Sequence, residues 1–289
     1  MRICRFDANR LGVVEDDFVR DVTGALDVLP PQRWPYPPGD ALIANLSAVR
    51  AEIERLAPHA ERLPVSRVAL RSPVANPGKI MAAPANYAAH LAVDGQDPGI
   101  DQESVRQLRT ADRPTEKFGL FLKATSSIAG PADGVAIVFP DRRTDFEVEL
   151  AVVIGRTVKS ITQAEAMDCV AGFCIGMDMS VRGQEDRSYR KSADTYTVLG
   201  PWIVTTDAIA DPHDLNLSLS VNGVTRQSGS TSEMTVRIER IIELASHMYT
   251  LHPGDVLMTG TPQGVGPVAP GDVMRAGCSS IGWMEIPVH

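Results

Sequence analysis

The sequence predicts an α+β fold, predominantly β, with a small N-terminal domain over residues 1–70 and a larger domain over residues 71–289. Three observations carry this. From Phe118 onward, short apolar stretches of strand length alternate with turn residues. Only two segments in that region show helix signals. A proline-rich run, PQRWPYPPGD over residues 31–40, separates an opening pair of strands from the first helix.

Taken in order, residues 1–30 alternate short apolar and polar stretches around Asn9-Arg10-Leu11-Gly12, the pattern of a hairpin. Asp40 is placed as an N-cap, and Leu46, Val49, Ile53 and Leu56 follow at helical spacing until Pro64 closes the segment. Residues 92–117 are polar and weakly periodic, the character of an active-site lid, here placed at about 86–117. The expected strands then include FGLFLKA, VAIVFP, DFEVELAVVIG, GFCIGMDMS, GPWIVTT and LNLSLSVNGVTRQSG. In the last, Asn222-Gly223 suits a type I′ turn. One helix is announced by a capping box, Thr162 with Glu165, and another by Ile238, Ile241, Ile242 and Ala245 on one face.

Composition narrows the function classes. At 289 residues, 44% hydrophobic and 22% charged, the chain has the make-up of a soluble globular protein. A net charge of −8 without long like-charge runs speaks against nucleic acid or an anionic membrane as partner. No apolar run approaches the roughly 20 residues that span a bilayer. The opening MRICRFDANRLGVVEDD breaks its one apolar stretch with Arg and Asp, so no signal peptide is expected and the expected location is cytoplasmic. Cys4, Cys169, Cys174 and Cys278 include no C-x-x-C pair and so no zinc spacing, and Cys169 and Cys174, in an apolar stretch, read as small core residues of a reduced compartment.

The chemistry concentrates in Asp145-Phe146-Glu147-Val148-Glu149-Leu150. On a strand the three acids share one face while Phe146, Val148 and Leu150 face apolar packing. Such acids repel one another unless they are solvated, as on an exposed edge, or neutralised by a cation. Asp178 ends the apolar run VAGFCIGM, and an acid in that position needs a partner. Glu147, Glu149 and Asp178 together would form an all-oxygen site suited to Mg²⁺, Mn²⁺ or Ca²⁺, with coordination positions left open.

The blocks DFEVELAVVIGR, CVAGFCIGMDMSVR, RKSADTYTVLGPWIVT, VNGVTRQSGSTSEM and LHPGDVLMTGTPQGVG, in that order over roughly residues 74–286, resemble the C-terminal domain of the fumarylacetoacetate hydrolase superfamily. The resemblance implies a mixed β-sandwich roll that pairs as a homodimer. It also implies a divalent metal, Mg²⁺ foremost, on Glu147, Glu149 and Asp178, with Lys191 near the substrate carbonyl. Arg182, Lys123, Thr261, Tyr87 and Gln184 (or its neighbour Glu185) become expected substrate contacts. His90, in the NYAAH segment, becomes the expected general base. The family places an acid three residues after that histidine; here the position is Val93, and Asp94 follows it.

The expected activity is cleavage of a C–C bond in a small 2,4-dioxo acid of the acylpyruvate or fumarylacetoacetate type, the partner being a 2-oxo or 1,3-dioxo acid. Val93 keeps open a decarboxylase, isomerase or lyase using the same metal–enolate chemistry, which needs no activated water. A non-catalytic, metal-stabilised binding protein is the third alternative.

Overall fold

The computed structural model describes residues 1–88 and 111–289. The chain opens with β1 (Arg2–Phe6), β2 (Arg10–Glu15) and β3 (Phe18–Asp21), an antiparallel meander. The first turn lies at residues 7–9, where Asp7 and Asn9 take positive φ, and Gly12 falls inside β2. A Cβ at Gly12 would run into Cys4 Sγ at 2.8 Å and into Val19, so the glycine serves close strand packing rather than the turn.

Asp40 caps α1 (Ala41–Ala44), accepting from the Leu42 and Ile43 N–H groups at 3.0 and 3.2 Å. The helix α2 (Leu46–Leu56) buries Val49 and Ile53 against Ile3, Leu11 and Val13. Past this helix, Arg62–Pro64 forms a short strand, β4, on the edge of β3, so Pro64 closes a strand.

Next come β5 (Leu70–Arg71), β6 (Ile80–Ala82), α3 (Pro114–Phe118), β7 (Phe121–Lys123), β8 (Ile128–Ala129), β9 (Thr144–Phe146) and β10 (Val148–Ile154). The expected strand VAIVFP is absent: residues 135–140 keep only one bridge, Val135 to Val288. The neighbouring segment ends at His289, which accepts from the Ile137 N–H, and Val138 and Phe139 beyond it are left exposed. After α4 (Gln163–Ala166) the chain runs through β11 (Val170–Asp178), β12 (Ser180–Val181), α5 (Arg187–Arg190) and β13 (Thr197–Thr205). Glu165 fixes the start of α4 by accepting from the Thr162 N–H and hydroxyl at 2.9 and 2.8 Å.

The remainder is β14 (Asn216–Val221), β15 (Val224–Ser230), α6 (Ile238–Met248), β16 (Val256–Met258), β17 (Gly266–Val268), β18 (Val273–Cys278) and β19 (Gly282–Pro287). Asn222 and Gly223, both at positive φ, join β14 to β15 in the two-residue turn expected of Asn-Gly.

The principal sheet has the order β4-β3-β2-β1-β13-β11-β10-β16-β6-β7, with β5 added on β1 and β8 on β13. Residues 1–70 thus join the sheet edge-on through Ile3 and Ile203. A three-stranded sheet β12-β9-β17 and a four-stranded sheet β15-β14-β18-β19 complete the mixed, mostly antiparallel α+β architecture, predominantly β. Strands β10 and β11 are buried on both faces. Val148, Leu150 and Val152 enter the main core together with Phe173, Ile175 and Met177, while Ala151, Val153 and Cys174 enter a second cluster.

Gly172 lies at the centre of this arrangement, opposite both Val153 and Thr205. A Cβ there would strike the Val204 carbonyl oxygen and come 2.7 Å from Ile203 Cγ2. Gly172→Ala is therefore expected to lower unfolding free energy by about 1–3 kcal/mol in urea titrations. Unchanged stability would show that β11 and β13 can separate without cost.

A carboxylate and ammonium cluster as candidate metal centre

Two strands change sheets at the same point. The chain passes from β9 in the small sheet to β10 in the large one at Glu147, and from β11 to β12 just after Asp178. The pairs Val148–Met177 and Asp145–Ser180 flank the corner, and the Asp178 N–H donates to the Glu147 carbonyl at 2.9 Å. Strand alternation places Glu147 and Glu149 on the Ala151 side of β10, and Asp178 on the Cys174 side of β11. Carboxylate oxygens of Glu147, Glu149 and Asp178 consequently lie within 4.8 Å of one another, all buried.

Buried carboxylates this close need neutralising charge. Lys191 Nζ supplies part of it, donating to Glu147 Oε2 at 2.9 Å and Asp178 Oδ2 at 2.8 Å. Lys123 does not snorkel outward. Its side chain is buried and donates to Asp178 Oδ1 and to the Tyr196 carbonyl. Among the described residues, these three carboxylates against the two ammonium groups leave one formal negative charge, with Arg182 at the margin. A divalent cation would turn that into a single positive charge, matched to an anionic ligand. Donor chemistry also fits: hard oxygen ligands from two strands and no sulfur or imidazole among the described residues.

The ionisation of these groups follows from their burial. Glu149 is held well above the usual carboxylate range, first by burial and then by the charges of Asp178 and Glu147. Burial is also the largest influence on the two lysines, acting against their charge. At Lys123 it prevails and the pKa falls; at Lys191 the charges of Asp178 and Glu147 outweigh it and the pKa rises.

A loop after β16 fixes Glu149 and the backbone between the two glutamates. The Gly260 N–H donates to Glu149 Oε2 at 2.7 Å. Thr261 Oγ1 donates to the Val148 carbonyl, Gln227 Nε2 donates to Thr261 Oγ1, and the Val148 N–H donates to Gln227 Oε1, closing a ring of bonds of 2.8 to 3.0 Å. Gly260 has φ +97, and a Cβ there would meet Asn86 Cβ at 2.8 Å, so only glycine suits the position. Ser180 Oγ adds a bond to Glu147 Oε1 at 3.1 Å. Gln227, Ser180 and Gly260 were invisible as site residues in the sequence, because each acts through a partner far along the chain. The one hint was Gln227, a polar residue inside a strand.

The other expected residues distribute as follows. Asp145 shares the acid-rich segment but is neutralised separately, by Arg143 and by Arg182, each Nε at 2.6 Å. Arg182 also stands 3.8 Å from Glu147 Oε1, which puts it at the margin of the cluster. Tyr87 is buried, and burial followed by the charge of Glu149 pushes its phenol up. Its hydroxyl has no hydrogen-bond partner among the described residues. Gln184 and Glu185 are both exposed; Glu185 is paired with Arg142 at 2.8 Å, and neither is bonded to the cluster. His90 and Asp94, and most of the expected lid, lie outside the described residues. The four cysteines are free and buried, burial pushing the Cys174 thiol up to about 12.

Because metal binding must displace the proton that Glu149 prefers to keep, Mn²⁺ affinity is expected to fall as pH is lowered, by up to about tenfold per pH unit below that raised pKa. Titration calorimetry in buffers of different ionisation enthalpy should register proton release. In the metal-free protein the sign is opposite: the folded state holds this proton more tightly than the unfolded chain. Glu149's contribution to stability is then present at low pH and declines as pH rises from 4.5 toward the folded value. A pH-independent Mn²⁺ affinity would overturn this account of Glu149.

Comparison with known proteins agrees with this construction. The family described as Fumarylacetoacetate (FAA) hydrolase C-terminal matches residues 79–289. A maleylpyruvate hydrolase of Aquipseudomonas alcaligenes is 52% identical over 289 residues, covering 100% of this chain and 99% of that protein. The crystal structure of a maleylpyruvate hydrolase from Sphingobium sp. SYK-6, in complex with manganese(II) ion and pyruvate, superposes with a TM-score of 0.80. It is 36% identical, covering 100% of this chain and 98% of that one. An oxaloacetate tautomerase of Rattus norvegicus is 39% identical over 209 residues, 71% of this chain and 62% of that protein. The chain belongs to the fumarylacetoacetate hydrolase family.

Proposed function

We propose that the protein is a divalent-metal-dependent hydrolase that cleaves the C–C bond of an acylpyruvate, releasing pyruvate and a carboxylic acid. The observation that carries this is the buried carboxylate triad braced by Lys191, the donor set a chelating 2-oxo acid needs. A metal ion held by Glu147, Glu149 and Asp178, whether Mg²⁺, Mn²⁺ or Ca²⁺, would act as a Lewis acid toward the 2-oxo group. The Mn²⁺ and pyruvate of the Sphingobium relative support this reading.

The chain's own groups divide the remaining work. Water adds to the distal carbonyl of the acylpyruvate, the bond between that carbon and the methylene breaks, and its electron pair stays on the pyruvate fragment. That fragment then takes a proton. Lys191 has three hydrogens, of which two go to Glu147 and Asp178, so the third is available to a substrate oxygen. The nearby charge of Lys123 favours the developing enolate. Tyr87 has a hydroxyl to donate. At Thr261 the hydroxyl hydrogen is already given to Val148, so the contact proposed there is the backbone amide. Arg182, anchored by Asp145, borders the carboxylate end, and Gln184 stands further out. His90, oriented by Asp94 and brought in by a lid over 86–117, is the proposed base for water.

The working form is proposed to be a cytoplasmic homodimer, the dimer on family resemblance and the compartment on four free, buried thiols. A boundary near residue 70 between a small N-terminal domain and the catalytic domain is supported by the separate apolar cluster of Ile3, Val49 and Ile53. Val93, where the family carries an acid, favours a second reading as a decarboxylase, isomerase or lyase.

Assays of acylpyruvates and oxaloacetate with Mg²⁺ or Mn²⁺ decide between them. The hydrolase reading expects pyruvate from acylpyruvates, abolished by a chelator and restored by metal. It also expects His90→Ala to lower kcat by roughly 10²–10⁴-fold with metal binding kept. Turnover of oxaloacetate alone would contradict it, and equal rates for wild type and His90→Ala would assign the base to another group or favour a non-catalytic protein.

A further inference from the structure

Among the described residues, five arginines surround the acidic corner, and four are committed. Arg142 pairs with Glu185, Arg143 and Arg182 with Asp145, and Arg190 donates to the Glu185 and Val181 carbonyls. Arg187 differs. It opens α5, is only partly exposed, and makes no hydrogen bond or ion pair among the described residues. Neighbouring acids do not serve it, since Glu185 is held by Arg142 and Asp186 accepts from the Ser188 N–H at 2.8 Å as the helix cap. Its guanidinium lies 5.5 Å from the centre of the Phe121 ring, and Lys191 Nζ lies 5.7 Å from the same ring. The charges that act most on it are those of Glu147 and Asp178. A guanidinium withdrawn from water, beside the cluster and without an anion, is a prepared carboxylate receptor.

We propose that Arg187 binds the distal carboxylate of the substrate's acyl group, with Phe121 offering an apolar face to the carbon chain between it and Lys191. The inference rests on the acylpyruvate reading and narrows it to dicarboxylic acylpyruvates, of which maleylpyruvate is one. A bidentate guanidinium–carboxylate contact gives selectivity through charge and planarity together, and it acts on binding of the tail rather than on the bond that breaks.

The test compares wild type, Arg187→Met and Arg187→Lys on maleylpyruvate and on acetylpyruvate, which lacks the second carboxylate. The kcat/KM ratio between the two substrates is expected to collapse by roughly tenfold to hundredfold in Arg187→Met, chiefly through KM, with partial recovery in Arg187→Lys. An unchanged ratio in Arg187→Met overturns the proposal. A second readout needs no turnover: calorimetry of the Mn²⁺-loaded protein with 2-oxoadipate against 2-oxohexanoate. Wild type should prefer the diacid and Arg187→Met should lose that preference; a preference retained in the variant also overturns it. If wild type cleaves neither acylpyruvate, the hydrolase reading fails, while this binding comparison still decides the role of Arg187.

Discussion

Glu147, Glu149 and Asp178 converge in a buried corner where their mutual repulsion has to be offset, and Lys123 and Lys191 offset most of it. Among the described residues the two lysines leave that balance incomplete, and Glu149 is the acid whose ionisation is suppressed, first by burial and then by the charges of Asp178 and Glu147. An incompletely balanced cluster is costly to a fold and useful to a catalyst, because a divalent ion completes it and leaves a positive site for an anion. The same lysines tie the group together, Lys191 bridging Glu147 and Asp178 and Lys123 bound to Asp178.

The geometry of the corner comes from the sheets. Strands β9–β10 and β11–β12 leave one sheet for another at the level of Glu147 and Asp178, which brings together side chains that a flat sheet would keep in register but spread out. The loop of Thr259, Gly260 and Thr261 stitches onto β10 through Leu150, Glu149 and Val148, and Gln227 joins the loop to the strand. The rigidity of the glutamates is thus supplied by backbone bonds from remote segments rather than by local helix or turn structure.

The alternation of Phe146, Val148 and Leu150 with acids made the Glu147–Glu149 face legible in the sequence, because period-two burial is a local property. Asp178 was legible as an acid ending an apolar run. The hairpin at Asn222-Gly223 and the helix carrying Ile238, Ile241 and Ile242 were legible for the same local reason. The partition of Asp145 away from the triad was not, since it depends on arginines at positions 143 and 182 that arrive by tertiary contact. Nor was the isolation of Arg187 from the acids beside it, which is set by what Glu185 and Asp186 are already doing. Residues 135–140 show the reverse error: a strand composition whose pairing stops after Val135 and Ile137 bond to residues 287–289.

The central claim is that one divalent cation completes this cluster. Anomalous diffraction from crystals grown with Mn²⁺ tests it most directly. The account predicts a single strong peak between the carboxylates of Glu147, Glu149 and Asp178, with Lys191 still against the group. Saturating Mn²⁺ that leaves the corner without a peak, the two lysines alone holding the three acids, would contradict it.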